Sequence, residues 1–125
     1  VNNQVFGMTG GQMAPTTLVN QKTTSSPMGR DPSHNGKPFD IMKTIGHMDI
    51  AYLARGSVDS PANIAKTKNY LKKGMQNQLD NKGFSLIEIL SPCPTNWNLT
   101  PVKALERIKD TVIDVFPLGE FKKEE

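Results

Sequence analysis

A chain of 125 residues with 36% apolar, 6% aromatic and 22% charged residues is sized for one domain with its own core, and its balance excludes an extended disordered chain. No apolar run reaches a bilayer span and no signal-peptide pattern opens the chain at Val1, so the expectation is a cytoplasmic protein whose start is missing, with no membrane partner. The net charge of +3 does not mark a nucleic-acid binder: the densest basic group, Lys66, Lys68, Lys72 and Lys73, has helix-surface spacing and no interleaved aromatics.

In chain order, Val1 to Phe6 reads as the end of a buried strand entering a turn, where Asn2 and Asn3 interrupt the apolar residues. Residues 7–38 are rich in Gly, Thr, Ser, Pro and Asn without apolar periodicity, which predicts a long active-site loop, mobile when empty because it has few apolar anchors. Ile41, Met42, Ile45 and Met48 recur at helical spacing and predict a short helix over 39–47, followed by a short strand over 50–54. Ser60 and Pro61 read as N-cap and first residue of a helix reaching Lys82 and Gly83, with Ile64, Leu71, Met75 and Leu79 as its expected buried stripe. Phe84 to Leu90 is nearly all apolar, as expected for a strand covered on both faces of a parallel sheet. Ser91 to Thr95 breaks it, and Thr100 with Pro101 starts a further helix expected to bury Val102, Leu105, Ile108 and Val112 and to end before Pro117. The alternation predicts an α/β fold with a mainly parallel sheet flanked by helices, in which loops after strand ends carry the sites.

Two such loops carry chemistry. In the segment from Asn2 to Gln12, Asn3 offers an amide oxygen of the kind magnesium accepts, alongside a nearby backbone carbonyl. Gly10 and Gly11 let backbone amides approach an anion, and the Thr9 hydroxyl can add a hydrogen bond to a phosphate oxygen. A plain turn uses the same residue types, and the string Met8 to Met13 also resembles an expression tag, although its apolar-to-turn context argues against one. In the second loop, Ser91 to Trp97, Pro92 and Pro94 fix the backbone around Cys93. That single cysteine excludes an internal disulfide and fits a reducing compartment, and it also reads as a small buried hydrophobe. A nucleophilic role has no support, since His34 and His47 are remote in sequence.

As whole strings, Val1 to Thr17 and Ser91 to Trp97 resemble two segments of the beta subunits of 2-oxoacid:ferredoxin oxidoreductases, and the likeness extends through Ala54 to Asn63 and Phe116 to Phe121. The resemblance implies the carboxy-terminal part of a thiamine diphosphate-binding fold, a partial domain over 1–125. It implies that Asn3 and the carbonyl of Val5 ligate Mg2+, and that Gly7, Met8, Thr9 and Gly10 border the cofactor. It further implies that Cys93 is one of four ligands to a [4Fe-4S] cluster, the other three and a Gly-Asp-Gly magnesium motif lying upstream. The activity implied is CoA-acylating oxidative decarboxylation of a 2-oxoacid, with an alpha subunit and ferredoxin as partners; the fragment alone is expected to be inactive. Lys22 and Arg30 are the candidate partners of a substrate carboxylate, Lys22 being favoured by the resemblance, with 2-oxoglutarate preferred over branched-chain oxoacids. The alternatives are a stand-alone anion- or nucleic-acid-binding module and a fragment without activity.

Overall fold

The computed structural model describes residues 1–123. After an N-terminal segment and long loop come α1 (Pro32–Asn35), α2 (Ile41–Ile45), β1 (Tyr52–Ser57), α3 (Pro61–Leu79), β2 (Ser85–Leu90), α4 (Pro94–Trp97) and α5 (Pro101–Arg107). A π-helical turn (Ile108–Val112) then leads into α6 (Ile113–Val115) and β3 (Gly119–Lys123). The sheet order is β2-β1-β3, with β1 and β2 parallel and β3 antiparallel to β1. Asn2 extends the parallel part by bridging to Leu90, which agrees with reading Val1 to Phe6 as a strand end. The antiparallel β3 was not among the predicted elements.

Helix starts follow local chemistry. Ser60 accepts from the Asn63 amide and Thr100 from the Lys103 amide, each followed by a proline whose missing N–H would have had no helical partner. The central strand runs further than the predicted 50–54: all six residues of β1 are buried, including Arg55. Side chains alternate between its faces. Leu53 meets Leu86, Met42 and Ile50 on the side of α2, whereas α3 lies against the opposite face.

Three burial expectations are corrected. On α3 the buried residues are Thr67 and Gly74, while Met75 is 67%, Leu79 77% and Ile64 37% exposed. The helix sits so close to the sheet that a Cβ on Gly56 of β1 would overlap the Thr67 hydroxyl, and one on Gly74 would come 2.6 Å from Ile87 Cδ1 of β2. Small residues therefore face the sheet, Leu71 of the expected stripe is partly buried, and Ile64, Met75 and Leu79 are left outside. Phe84 is exposed and precedes β2, an edge strand covered only in part.

In the last helical stretch Val102 is exposed, and Ala104, Ile108, Val112 and Phe116 are the buried set. A strict four-residue spacing drifts by about 40° per step on a 3.6-residue helix. The wider π turn takes up that drift and keeps Ile108, Val112 and Phe116 in one cluster with Leu18 and Leu90.

The long loop is a hydrogen-bonded unit in which Ala14 and Leu18 are the buried apolar residues, and it is organised around Arg30. That guanidinium, 5% exposed, donates to the carbonyls of Ala14, Pro15, Thr17, Asn35, Gly36 and Lys37. Arg30 is thereby removed as a substrate-carboxylate candidate.

Candidate functional site

The two sequence motifs meet. Both follow the same end of the sheet, because Asn2 pairs with the last residue of β2 and the Cys93 segment continues directly from it. Trp97 Nε1 donates to the Asn3 carbonyl at 3.1 Å. Asn96 Nδ2 lies 3.2 Å from both the Gly7 carbonyl and Cys93 Sγ, and thus ties the first loop to the sulfur. A Cβ placed on Gly7 would stand 3.3 Å from Cys93 Sγ and 3.2 Å from Asn96 Nδ2, so the absence of a side chain permits this approach. α4 supplies both contacts, and it turns back at Asn98 in a left-handed conformation.

The turn from Asn3 to Val5 has an unusual backbone. Gln4 has φ of 57°, a region that non-glycine residues seldom occupy and that clusters at functional sites. It is 1% exposed and held on several sides: its N–H donates to Asn2 Oδ1, and its carbonyl accepts from Thr17 Oγ1 at 2.7 Å and Gln21 Nε2 at 3.1 Å. Asn3 Oδ1 accepts from the Val5 amide at 3.3 Å, which keeps its amide oxygen beside that peptide. Asn3 is half-buried and Val5 is buried, and both border a cleft of about 420 Å³ that also touches Phe6, Phe39, Ile41 and Leu86.

Beyond Phe6 the chain makes a tight loop: the Phe6 amide donates to Gln12 and the Gly11 amide returns to Phe6. Met8, Thr9 and Gly10 are exposed at its tip. The Thr9 hydroxyl donates to Gln12 Oε1 at 2.8 Å, so it must turn away from Gln12 to reach another acceptor. Gly11 has φ of 78°, and a Cβ there would be 2.5 Å from Asn96 Oδ1. Thr24 donates to the Gly11 carbonyl, so the 21–26 turn abuts this loop, with Lys22 exposed on it.

The donor chemistry fits a magnesium-bridged diphosphate in part. The Asn3 amide oxygen and the Val5 carbonyl are the hard oxygen donors magnesium takes, and the exposed glycine-rich tip offers backbone to an anion. Gln4 Oε1 is buried without a hydrogen-bond partner among the described residues, an arrangement that calls for a donor at this turn. For a four-iron cluster the chain supplies only the half-buried sulfur of Cys93. No group of three or more His, Cys, Asp or Glu side chains suited to a metal occurs among the described residues.

Sequence reasoning missed Gln4, Asn96 and Trp97 as supports of this site. It also missed Glu88, whose Oε1 accepts from Asn2 Nδ2 at 2.7 Å and whose Oε2 accepts from Arg55 Nε at 2.6 Å. The lone carboxylate inside the apolar run Phe84 to Leu90 was the available signal.

Residues 1–89 match the family model described as thiamine pyrophosphate enzyme, C-terminal TPP binding domain. The chain is 39% identical to ketoisovalerate oxidoreductase subunit VorA of Methanothermobacter marburgensis, across 98% of this chain and 26% of the relative. It is 32% identical to 2-oxoglutarate synthase subunit KorB of Archaeoglobus fulgidus, across 99% of this chain and 46% of the relative. With 2-oxoacid:ferredoxin oxidoreductase subunit beta of Saccharolobus solfataricus it shares 32% identity across 75% of this chain and 27% of the relative. The chain thus spans less than half the length of these curated relatives. No solved structure matches it. No helix among the described residues is long and apolar enough to cross a membrane. Matching motifs, their meeting in space and the family model lead to one assignment: the chain belongs to the thiamine pyrophosphate enzyme family, as its C-terminal TPP-binding domain.

Proposed function

We propose that the protein acts in the thiamine diphosphate-binding subunit of a 2-oxoacid:ferredoxin oxidoreductase, in the cytoplasm and with an alpha subunit, ferredoxin and coenzyme A as partners. The observation that carries this reading is the Asn96 bridge between the Gly7 carbonyl and Cys93 Sγ, which joins the cofactor loop to the one thiol of the chain. The relatives named for 2-oxoacid chemistry support it. In this reading Asn3 Oδ1 and the Val5 carbonyl hold Mg2+. Gly7 and the exposed tip of Met8, Thr9 and Gly10 border the diphosphate, and Cys93 contributes one thiolate to a [4Fe-4S] cluster completed by other residues. Bound thiamine diphosphate would supply decarboxylation chemistry and a cluster one-electron transfer. The chain's own work is to fix the metal ligands through the left-handed Gln4 and to keep Cys93 against Gly7.

For the oxoacid, exposed Lys22 beside the loop supports a substrate with a second carboxylate, as in 2-oxoglutarate. A branched-chain oxoacid is the second reading, favoured by the identity to two ketoisovalerate oxidoreductase VorA subunits, 39% and 38%, against 34% and 32% for 2-oxoglutarate synthase subunits of Methanothermobacter marburgensis and Archaeoglobus fulgidus, although the VorB subunit of Pyrococcus furiosus stands at 31%. The test is CoA-dependent dye reduction by the complete subunit with its partner, given each oxoacid in turn. Asn3→Ala is expected to weaken Mg2+-dependent thiamine diphosphate binding by about 10-fold or more. Binding equal to wild type would remove Asn3 from the site.

A further inference from the structure

A chain of buried polar contacts runs from the sheet to the turn that carries the proposed metal ligands. Arg55 is fully buried on β1, next to Glu88 in the β1–β2 register, and Phe116 and Phe121 lie against its guanidinium at 5.1 and 5.4 Å. Its Nη2 pairs with Asp40, its Nη1 donates to the Pro117 carbonyl, and its Nε donates to Glu88 Oε2. The other Glu88 oxygen accepts from Asn2 Nδ2 at 2.7 Å. Asn2, 8% exposed, then turns its Oδ1 toward Gln4 N at 3.0 Å, Gln4 Nε2 at 3.1 Å and Thr16 Oγ1 at 2.8 Å.

The direction of each contact matters. A carboxylate oxygen only accepts, so Glu88 can face the NH2 side of the Asn2 amide and not its oxygen. With the amide reversed, its NH2 would meet the Gln4 and Thr16 donors, and its oxygen would meet Glu88. The orientation that Glu88 enforces is therefore the one that lets Asn2 Oδ1 capture the Gln4 amide. That capture helps hold Gln4 at its positive φ, between Asn3 and Val5.

A purely structural account is weak, because a buried ion pair contributes little stability beyond what a well-packed apolar pair would give. β2 is otherwise apolar from Leu86 to Leu90, and an aliphatic residue at position 88 would continue that pattern.

We infer that Glu88 is a positioning residue for the cofactor turn: held by Arg55, it orients Asn2, and through Asn2 it sets the backbone that presents the Asn3 amide oxygen and the Val5 carbonyl. The inference rests on the thiamine diphosphate reading of that turn and names the device that keeps its ligands in place.

The test is a polarity swap in the complete subunit assembled with its partner. In Glu88→Gln the new amide can accept from Arg55 or from Asn2, not from both. In Asn2→Asp two carboxylates face each other. In the double variant the amide at 88 accepts from Arg55 and donates to the carboxylate at 2, which still accepts from Gln4 and Thr16. Two quantities are measured: calorimetric affinity for thiamine diphosphate at fixed Mg2+, and hydrogen-exchange protection of the Gln4 amide.

Each single variant is expected to lose about 10- to 100-fold in affinity together with Gln4 protection, and the double variant to recover most of both. Single variants that bind as wild type does, or a double variant no better than the weaker single, would overturn the inference. If the unaltered protein takes up no thiamine diphosphate, the functional reading is what fails. The Gln4 exchange needs no cofactor and then still decides whether Glu88 holds the turn.

Discussion

The 7–38 loop and helix α3 invert the usual relation between regularity and burial. The loop has little regular structure, yet Gln4 just before it and Thr17, Gln21 and Arg30 within it are buried and hydrogen-bonded, each donor finding a backbone carbonyl or amide oxygen. α3 is a regular helix of 19 residues, yet its larger apolar side chains Met75 and Leu79 face outward and it touches the sheet through Thr67 and Gly74. The loop is stabilised by satisfied polar groups, which are costly to leave unpaired in a low-dielectric interior. The helix is stabilised by close backbone approach, with the Thr67 hydroxyl donating to the Ser57 carbonyl at 3.0 Å. Site geometry depends on the first kind of region, which tolerates change poorly because every contact has a direction.

The sharpest way to break this comparison is Arg30→Ala, which strips a hydrogen-bond donor from six loop carbonyls at once. Destabilisation on the order of 3 kcal/mol or more is expected in urea unfolding, with loss of exchange protection between residues 14 and 37. Lys22→Ala, on the exposed face of the same loop, is the control and should stay within about 0.5 kcal/mol.

Next in size is Gly56→Ala on β1. The added Cβ overlaps the Thr67 hydroxyl, so the helix must move away, at an expected cost of about 1–3 kcal/mol in the same measurement. A neutral result would mean that α3 is not held by close approach.

A smaller effect is expected on the outer side of that helix. Met75→Lys and Leu79→Lys should each change the stability of this chain by less than about 0.5 kcal/mol, because both side chains stand in solvent. Repeating both substitutions in the complete subunit sharpens the comparison: a clearly larger loss there would show that the stripe is covered in the whole protein.

The smallest effect is a pH dependence at the sheet edge. The Glu120 carboxyl is held below its ordinary value by the hydrogen bond from Lys73, with a further one from Tyr52. A carboxylate lowered on folding adds stability above its unfolded value near 4.5, and that stability is lost as pH falls through the folded value. Glu120→Gln should therefore lower the urea midpoint slightly across the neutral region and flatten the acid limb, so that its curve meets that of wild type at low pH. An acid limb as steep as that of wild type would assign it to other carboxylates.

What was legible in the residues alone depended on how far each signal reaches. Ser60 with Pro61 and Thr100 with Pro101 marked helix starts correctly, because an N-cap bond and a fixed proline φ act within one turn. The alternation of elements indicated the α/β class and the parallel pairing of β1 with β2, since the chain between them is long enough for a helical crossover. The strings around Asn3 and Cys93 were legible as motifs, each within a dozen residues.

Only the tertiary structure decided the rest. It brought Gly7 to Cys93 through Asn96, contacts across roughly ninety residues that no local pattern encodes. It turned Arg30 from a substrate candidate into the centre of its loop, because burial of a cation depends on carbonyls that converge from 14–17 and 35–37. It also chose the face of α3. Hydrophobic periodicity reports which side of a helix is apolar, whereas the side that packs here was set by Gly56 on a neighbouring strand and the room it leaves for Thr67.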